Sequence, residues 1–249
     1  MERAWPTIEV LGVPVAKLRP DDALAAAARL YDDGAPALVA YANAHTLNLA
    51  ASDPSYRELL REAALVLNDG AGIALAARLN GERFPANLNG SDFNPLILQL
   101  AAERGWPVFL LGARPGVAER AAAWLVARYP GLDIAGTRDG YWPEGDDAEV
   151  AAAIRGTGAT LVMAALGNPL QERWLARHLE GTGARLGVGV GAFFDFAAKE
   201  VPRAPAWMNR LGLEWIFRLL QEPRRLWRRY LVGNPVFLAR VVRARLKKT

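Results

Sequence analysis

The 249-residue chain has no cysteine and only two histidines, His45 and His178. The missing thiols exclude a disulfide framework, a cysteine nucleophile and thiolate metal sites, and fit a reducing compartment. Two histidines cannot build a His-rich metal centre, and no Asp-x-Asp or other metal-spaced carboxylate pair occurs, so no bound metal is expected. No run of about 18 uncharged apolar residues is present, so nothing reads as a bilayer span. The first residues, Met1 to Pro6, lack an apolar h-region and do not read as a signal peptide. Internal repeats and low-complexity stretches are also missing. What remains is a composition of 52% hydrophobic and 22% charged residues, which suits one large folded α/β domain with a small appendage rather than disorder.

Acidic residues are scarce in one place. Residues 203–249 hold 12 Lys and Arg against two acids, Glu214 and Glu222, which gives +10 there and −6 over the rest of a chain whose net charge is +4. The chain therefore divides into an acidic body, 1–202, and a basic segment, 203–249. A basic segment can meet nucleic acid, anionic lipid or a phosphorylated ligand.

Along the body, apolar strands alternate with helices. Ile8–Val15 alternates as a hairpin or edge strand does. Asp21 or Asp22 is placed to cap an Ala-rich helix to about Tyr31. Further strands are expected at Ala37–Tyr41, Leu65–Leu67, Pro107–Leu111, Asp133–Gly136, Thr160–Leu166 and Leu186–Val190. Helices are expected through Leu47–Ala51 and Tyr56–Ala64, from Gly70 to about Leu79, and at Val117–Tyr129. Asn168 reads as the N-cap of another, with Pro169 at its first position. Continuous apolar strands separated by helices predict a Rossmann-like, mostly parallel sheet with helices on both faces. From Arg203 the pattern turns to aromatic, apolar and arginine residues, and Pro223 and Pro235 divide it into helices over roughly 207–221, 223–232 and 235–247.

Ligands of such a sheet bind beyond the carboxyl ends of its strands. Asn43-Ala44-His45, Asn68-Asp69-Gly70-Ala71-Gly72, Gly112–Gly116 and Gly167–Glu172 all fall there, and Asp195 follows the last strand. The Gly112–Gly116 loop is a phosphate cradle or a tight structural turn. Asp69, between an apolar strand and a Gly-x-Gly helix start, is a general base or an N-cap, and local sequence leaves the two level. Asp92 and Asp195 can equally be caps or turn formers, and His45 a base, a ligand or neither. Gln171 and Glu172 stand on a first helical turn, where capping competes with ligand binding.

Taken together these loops resemble the WecG/TagA/CpsF family of bacterial glycosyltransferases, glycosyltransferase family 26. The motifs are Leu67–Gly72, Asn89–Phe93, Phe109–Gly112 with Pro115–Glu119, Tyr129–Leu132 with Gly140–Trp142, Ala165–Glu172, Gly189–Phe196, Arg203–Pro205, and Leu213–Trp215 with Arg218-Leu219 and Glu222–Arg225. The resemblance implies a metal-independent, inverting transfer from a UDP-sugar to a polyprenyl-diphosphate-linked saccharide, with no cofactor, in cell-surface polysaccharide synthesis. It implies Asp69 as the general base, Asn43, Gln171 and Asp195 as nucleotide or sugar ligands, and Arg218, Arg224 and Arg225 closing over the diphosphate. His45, Asp92 and Gly112 join them as candidate substrate contacts. Three positions depart from the family: Tyr41 stands where many members have threonine, Asn87 where arginine is expected, and Lys199 where a glycine is expected. Tyr41 and Asn87 fall near the expected sugar site.

The tail has three readings. Its helices can cover the core, dock on an anionic membrane surface or bind nucleic acid. Aromatic and aliphatic residues beside Arg and Lys fit an interfacial helix best, clearest over Val236–Lys248. Nucleic acid fits least, because no reading element accompanies the charge. The expected location is the cytoplasmic face of the bacterial inner membrane, peripherally bound, with association of copies possible. A dehydrogenase would need a true Gly-x-Gly-x-x-Gly and a following acid, and neither is evident. A non-catalytic membrane- or nucleic-acid-binding module is the other rival.

Overall fold

The computed structural model describes residues 4–200, 204, 205, 208 and 214–246, the side chains of Glu214 and Arg225 excepted. Strands β1 (Thr7–Val10) and β2 (Val13–Ala16) form the expected hairpin. Its two turn residues, Leu11 and Gly12, both have positive φ, as a two-residue hairpin turn requires. The main sheet has β3 (Ala37–Ala42), β4 (Leu65–Asn68), β5 (Val108–Gly112), β6 (Ile134–Arg138), β7 (Leu161–Ala165) and β8 (Leu186–Gly189). Their order is β4-β3-β8-β7-β5-β6, and every pairing is parallel.

The strands are apolar at consecutive positions because both faces are covered. Along β3, Val39 and Tyr41 enter one core while Leu38, Ala40 and Ala42 enter the other. The first core lies under α1 (Pro20–Asp32), α5 (Gly90–Arg104), α6 (Val117–Arg128) and α9 (Phe193–Ala197). The second lies under the hairpin, α2 (Ala44–Ser52), α3 (Pro54–Glu62), α4 (Ala71–Leu79), α7 (Asp147–Gly156) and α8 (Leu170–Thr182). This Rossmann-like layering has a consequence for function. The connection leaving β3 goes to one face and that leaving neighbouring β8 to the other, which opens a crevice at the carboxyl edge between them.

In the basic segment, α10 (Glu214–Gln221) precedes a continuous helical run. It comprises α11 (Pro223–Trp227), a π-helical turn at Arg228–Val232 and α12 (Gly233–Leu246). Phe237 and Val241 of α12 are buried in the second core. Each such side chain contributes roughly 1.5–3 kcal/mol by leaving water. Arg240 donates to Asn48 O at 2.7 Å, to Asn48 Oδ1 at 2.9 Å and to Ser52 Oγ at 2.8 Å, and Arg245 donates to Leu79 O. Both cations sit on the last turns of α2 and α4, where the helix dipole is negative, and Leu79 O is an end carbonyl without a helical partner.

Local readings needed correction at several ends. Pro235 does not begin a separate helix. The run continues through it from Pro223, and the wider π turn lies where the proline ring would otherwise meet the carbonyl four residues back. Of the helix expected over 207–221, the part before Glu214 lies mostly outside the described residues. Neither Asp21 nor Asp22 caps α1: Arg19 is its N-cap and Pro20 its first residue. Asn168 does not cap α8, which starts at Leu170 after a cis Asn168–Pro169 bond. The strand expected at Asp133–Gly136 is β6, displaced towards Arg138.

Candidate active site

A cavity of about 820 Å³ opens at the carboxyl edge, over the crevice between β3 and β8. The sheet strands around it end in loops and helix starts that contribute polar groups. After β3, Asn43 caps α2: its Oδ1 accepts from the His45 and Thr46 backbone N–H groups, both at 3.0 Å. That commitment turns the amide nitrogen outward, and Asn43 Nδ2 donates to Asp69 Oδ2 at 3.0 Å.

Asp69 follows β4, and its backbone N–H donates to Ala42 O at 2.9 Å. It does not cap the next helix. Gly70 occupies the N-cap of α4 at φ +90, with no side-chain cap, a conformation that suits glycine. The carboxylate therefore stays on the cavity wall, oriented by Asn43. Asn87 Oδ1 accepts from Gly70 N–H at 2.9 Å and fixes this turn. Tyr41, buried on the same wall, donates its hydroxyl to Asn94 Oδ1 at 2.6 Å. Burial, and then the Asp69 carboxylate, hold the Tyr41 phenol well above its ordinary range.

On the opposite wall, Gln171 Oε1 accepts from Gly167 N–H at 3.2 Å and Gly191 N–H at 3.0 Å. Asp195, on α9, lines the same cavity. The basic segment closes the remaining side with Trp215, Arg218, Arg229, Tyr230, Asn234, Phe237 and Leu238. The Arg218 guanidinium lies 5.3 Å from the Phe196 ring centroid, and its buried Nε makes no hydrogen bond. His45 faces Arg229. Burial, then that positive charge, lower the imidazole to about 4.

The fold thus brings Tyr41, Asn43, His45, Asp69, Asn87, Gln171, Asp195 and Arg218 around one space. Other candidates lie elsewhere. Asp92 is not on the wall; its Oδ2 accepts from Asn89 Nδ2 at 2.8 Å and its N–H donates to Asn89 Oδ1 at 3.0 Å, a reciprocal cap on α5. Gly112 is also off the wall, and its role is steric: at φ +113, an added Cβ would stand 2.7 Å from the Ala165 backbone. Arg224 is exposed and does not line the cavity, and the side chain of Arg225 lies outside the described residues. Arg229 escaped sequence reading because the π turn shifts helix phase, which local pattern does not register. Tyr141, 70% exposed, lines both this cavity and a second of about 740 Å³ beside it. Only the family motif Gly140–Trp142 had pointed to it.

An all-parallel, doubly covered sheet with a carboxylate, amides and arginines at its switch point defines the class: an α/β protein with a polar-ligand site at the strand ends. The sequence matches the family profile described as "Glycosyl transferase WecG/TagA/CpsF family" over residues 8–249, and the chain belongs to that family of glycosyltransferases. It is 32% identical over 195 residues to the N-acetylglucosaminyldiphosphoundecaprenol N-acetyl-beta-D-mannosaminyltransferase of Bacillus subtilis strain 168, covering 78% of this chain and 75% of the relative. It is 33% identical over 200 residues to the protein of the same name from Bacillus spizizenii, covering 80% and 77%.

Proposed function

We propose that this glycosyltransferase moves a sugar from a UDP-sugar to a saccharide carried on polyprenyl diphosphate, with inversion and without a metal, in cell-surface polysaccharide synthesis. The observation that carries the reading is Asp69: a carboxylate on the cavity wall, free of capping duty and oriented by Asn43. An acceptor hydroxyl attacks the anomeric carbon and passes its proton to Asp69, while the sugar–phosphate C–O bond breaks and UDP leaves with the electron pair. A carboxylate beside an oxocarbenium-like centre also stabilises its charge. Arg218 and Arg229, both on the wall, are suited to the departing diphosphate. Asp195 and Tyr141 offer a carboxylate for ribose hydroxyls and an open ring for a base. The activity of the Bacillus relatives supports an N-acetylhexosamine donor and a diphosphoundecaprenol-linked acceptor.

Such an acceptor lies in a membrane, and among the described residues no helix is long and apolar enough to cross one. The segment 203–249 would act as an appended unit that closes the site and rests on the cytoplasmic face of the inner membrane. Trp227, Leu231, Val232 and Val236 are exposed there, with Arg224 and Arg228 among them, a composition suited to anionic lipid.

The test measures UDP binding by calorimetry and transfer from a panel of UDP-sugars to a short-chain lipid-diphosphate acceptor, with and without EDTA. Asp69→Asn is expected to bind UDP normally and to lose about 10²–10⁴-fold in transfer, the usual worth of a positioned base. Full transfer by Asp69→Asn would remove it from that role, and turnover of no UDP-sugar by the unaltered chain would overturn the donor class.

A further inference from the structure

Glu172 has no place in the reading above, yet it is the most enclosed carboxyl described in the molecule, with 0% exposure beneath the cavity floor. Among the described residues no cation forms an ion pair with it. Instead, three neutral side chains converge on it. Oε1 takes hydrogen bonds from Asn168 Nδ2 at 2.6 Å and Gln171 Nε2 at 2.7 Å, and Oε2 takes one from the Tyr56 hydroxyl at 3.0 Å. Burial pushes the carboxyl upward, and the three donors oppose that shift. A buried carboxyl without a cation is costly to keep, so its geometry calls for an account.

The two amides give the carboxyl its role. A glutamine or asparagine side chain presents an oxygen on one side and NH2 on the other, and only its partners decide which is which. An ionised carboxylate accepts and never donates. It therefore draws both amide nitrogens to itself and turns both oxygens away. For Gln171, the oxygen so placed receives the N–H groups of Gly167 and Gly191. Those glycines follow β7 and β8, so a single atom staples together the loop that carries Asn168 and the loop that leads into α9 and Asp195. For Asn168, Nδ2 is committed below, which leaves Oδ1 as its acceptor on the cavity wall. Strand β8 is pressed against the same pair. A Cβ added at Gly189 would stand 2.8 Å from Gln171 Nε2 and 3.2 Å from Glu172 Oε1, so the pair occupies space that only a glycine on β8 leaves open.

We infer that Glu172 is a positioning residue: an acceptor-only group beneath the floor that fixes the orientation of Gln171 and Asn168 and, through Gln171, the spacing of the Gly167 and Gly191 loops. It touches no substrate. The inference extends the glycosyltransferase reading, but its first test does not depend on it.

That test is amide hydrogen exchange at Gly167 and Gly191 in the full chain. Glu172→Met has similar length but offers no acceptor, so the Gln171 amide is released; exchange at both glycines is expected to rise about tenfold or more, the scale of a lost buried partner. Glu172→Gln keeps one oxygen for the two amides and turns its NH2 towards the Tyr56 oxygen, so protection should stay near the unaltered level. Unchanged exchange in a folded Glu172→Met, or equal loss in both variants, would overturn the inference. Should Glu172→Met fail to fold, the side-chain NH2 protons of Gln171 and Asn168 are followed in the unaltered chain instead: held on Glu172, they should exchange about tenfold or more slowly than those of an exposed amide, and free exchange at both would equally overturn the inference.

A kinetic arm uses UDP and the same UDP-sugar panel. Glu172→Met should weaken UDP binding and raise KM in an otherwise unaltered chain, but do so less in a Gln171→Leu background, where only Asn168 is left for it to orient. Equal losses in the two backgrounds would mean that Glu172 does not act through Gln171. Absence of any UDP-sugar turnover in the unaltered chain would count against the donor reading alone, since the exchange result stands without it.

Discussion

His45 illustrates how a single side chain's charge is decided by neighbours distant in sequence. Burial and Arg229 hold its imidazole to about 4, against roughly 6.5 in an unfolded chain. Between those values the unfolded chain binds a proton that the folded chain refuses, so His45 costs stability as pH falls from about 6.5 towards 4. His45→Gln is therefore expected to lose melting temperature less steeply than the unaltered chain over that window. Glu172, raised by burial, works in the opposite sense but is common to both chains and cancels. Equal slopes would show that His45 is not held neutral. The backbone at Lys199 shows another residue-scale effect. At φ +58 it adopts the left-handed conformation that a glycine would adopt without strain.

Among the elements, α12 matters most, because it joins the core and walls the cavity at once. Phe237 is fully buried, and its ring comes 3.8 Å from where a Cβ on Gly72 would stand, at the start of α4 just beyond Asp69. Phe237→Ala should cost about 3–5 kcal/mol in denaturant unfolding, the range for emptying a buried aromatic site, and should also weaken UDP binding. A loss below about 1 kcal/mol would mean that α12 is not packed as described. The sheet strands and hairpin were legible in sequence because their apolar runs and turn residues are local signals. The continuity of the helix past Pro235 was not, because a proline's local preference was overridden by packing of Phe237 and Val241 on the second core.

For the molecule as a whole, the basic segment is divided in its tasks. Arg240 and Arg245 face inward onto helix ends, Arg218 and Arg229 line the cavity, and Arg224 and Arg228 are left exposed beside Trp227 and Leu231. If that exposed surface meets the membrane, Trp227→Ser with Leu231→Ser should reduce co-sedimentation with phosphatidylglycerol vesicles by about tenfold or more, given roughly 1.5–3 kcal/mol for each large apolar side chain withdrawn from water. Unchanged sedimentation would place the membrane contact elsewhere.

By itself the sequence determined the parallel α/β layering, the family, and the loops at the strand ends, because apolar period, glycine turns and short motifs act within a few residues. Asp69 could be found that way, but its release from capping duty could not. That depended on Gly70 taking the cap and on Asn43, 26 residues earlier, supplying the orienting amide. Tertiary structure alone decided which arginines reach the cavity, that Gly112 packs on the Ala165 backbone, and that Glu172 lies under the floor with Tyr56, 116 residues away. These outcomes rest on long-range packing and on helix phase across the π turn, and neither leaves a local trace in the chain.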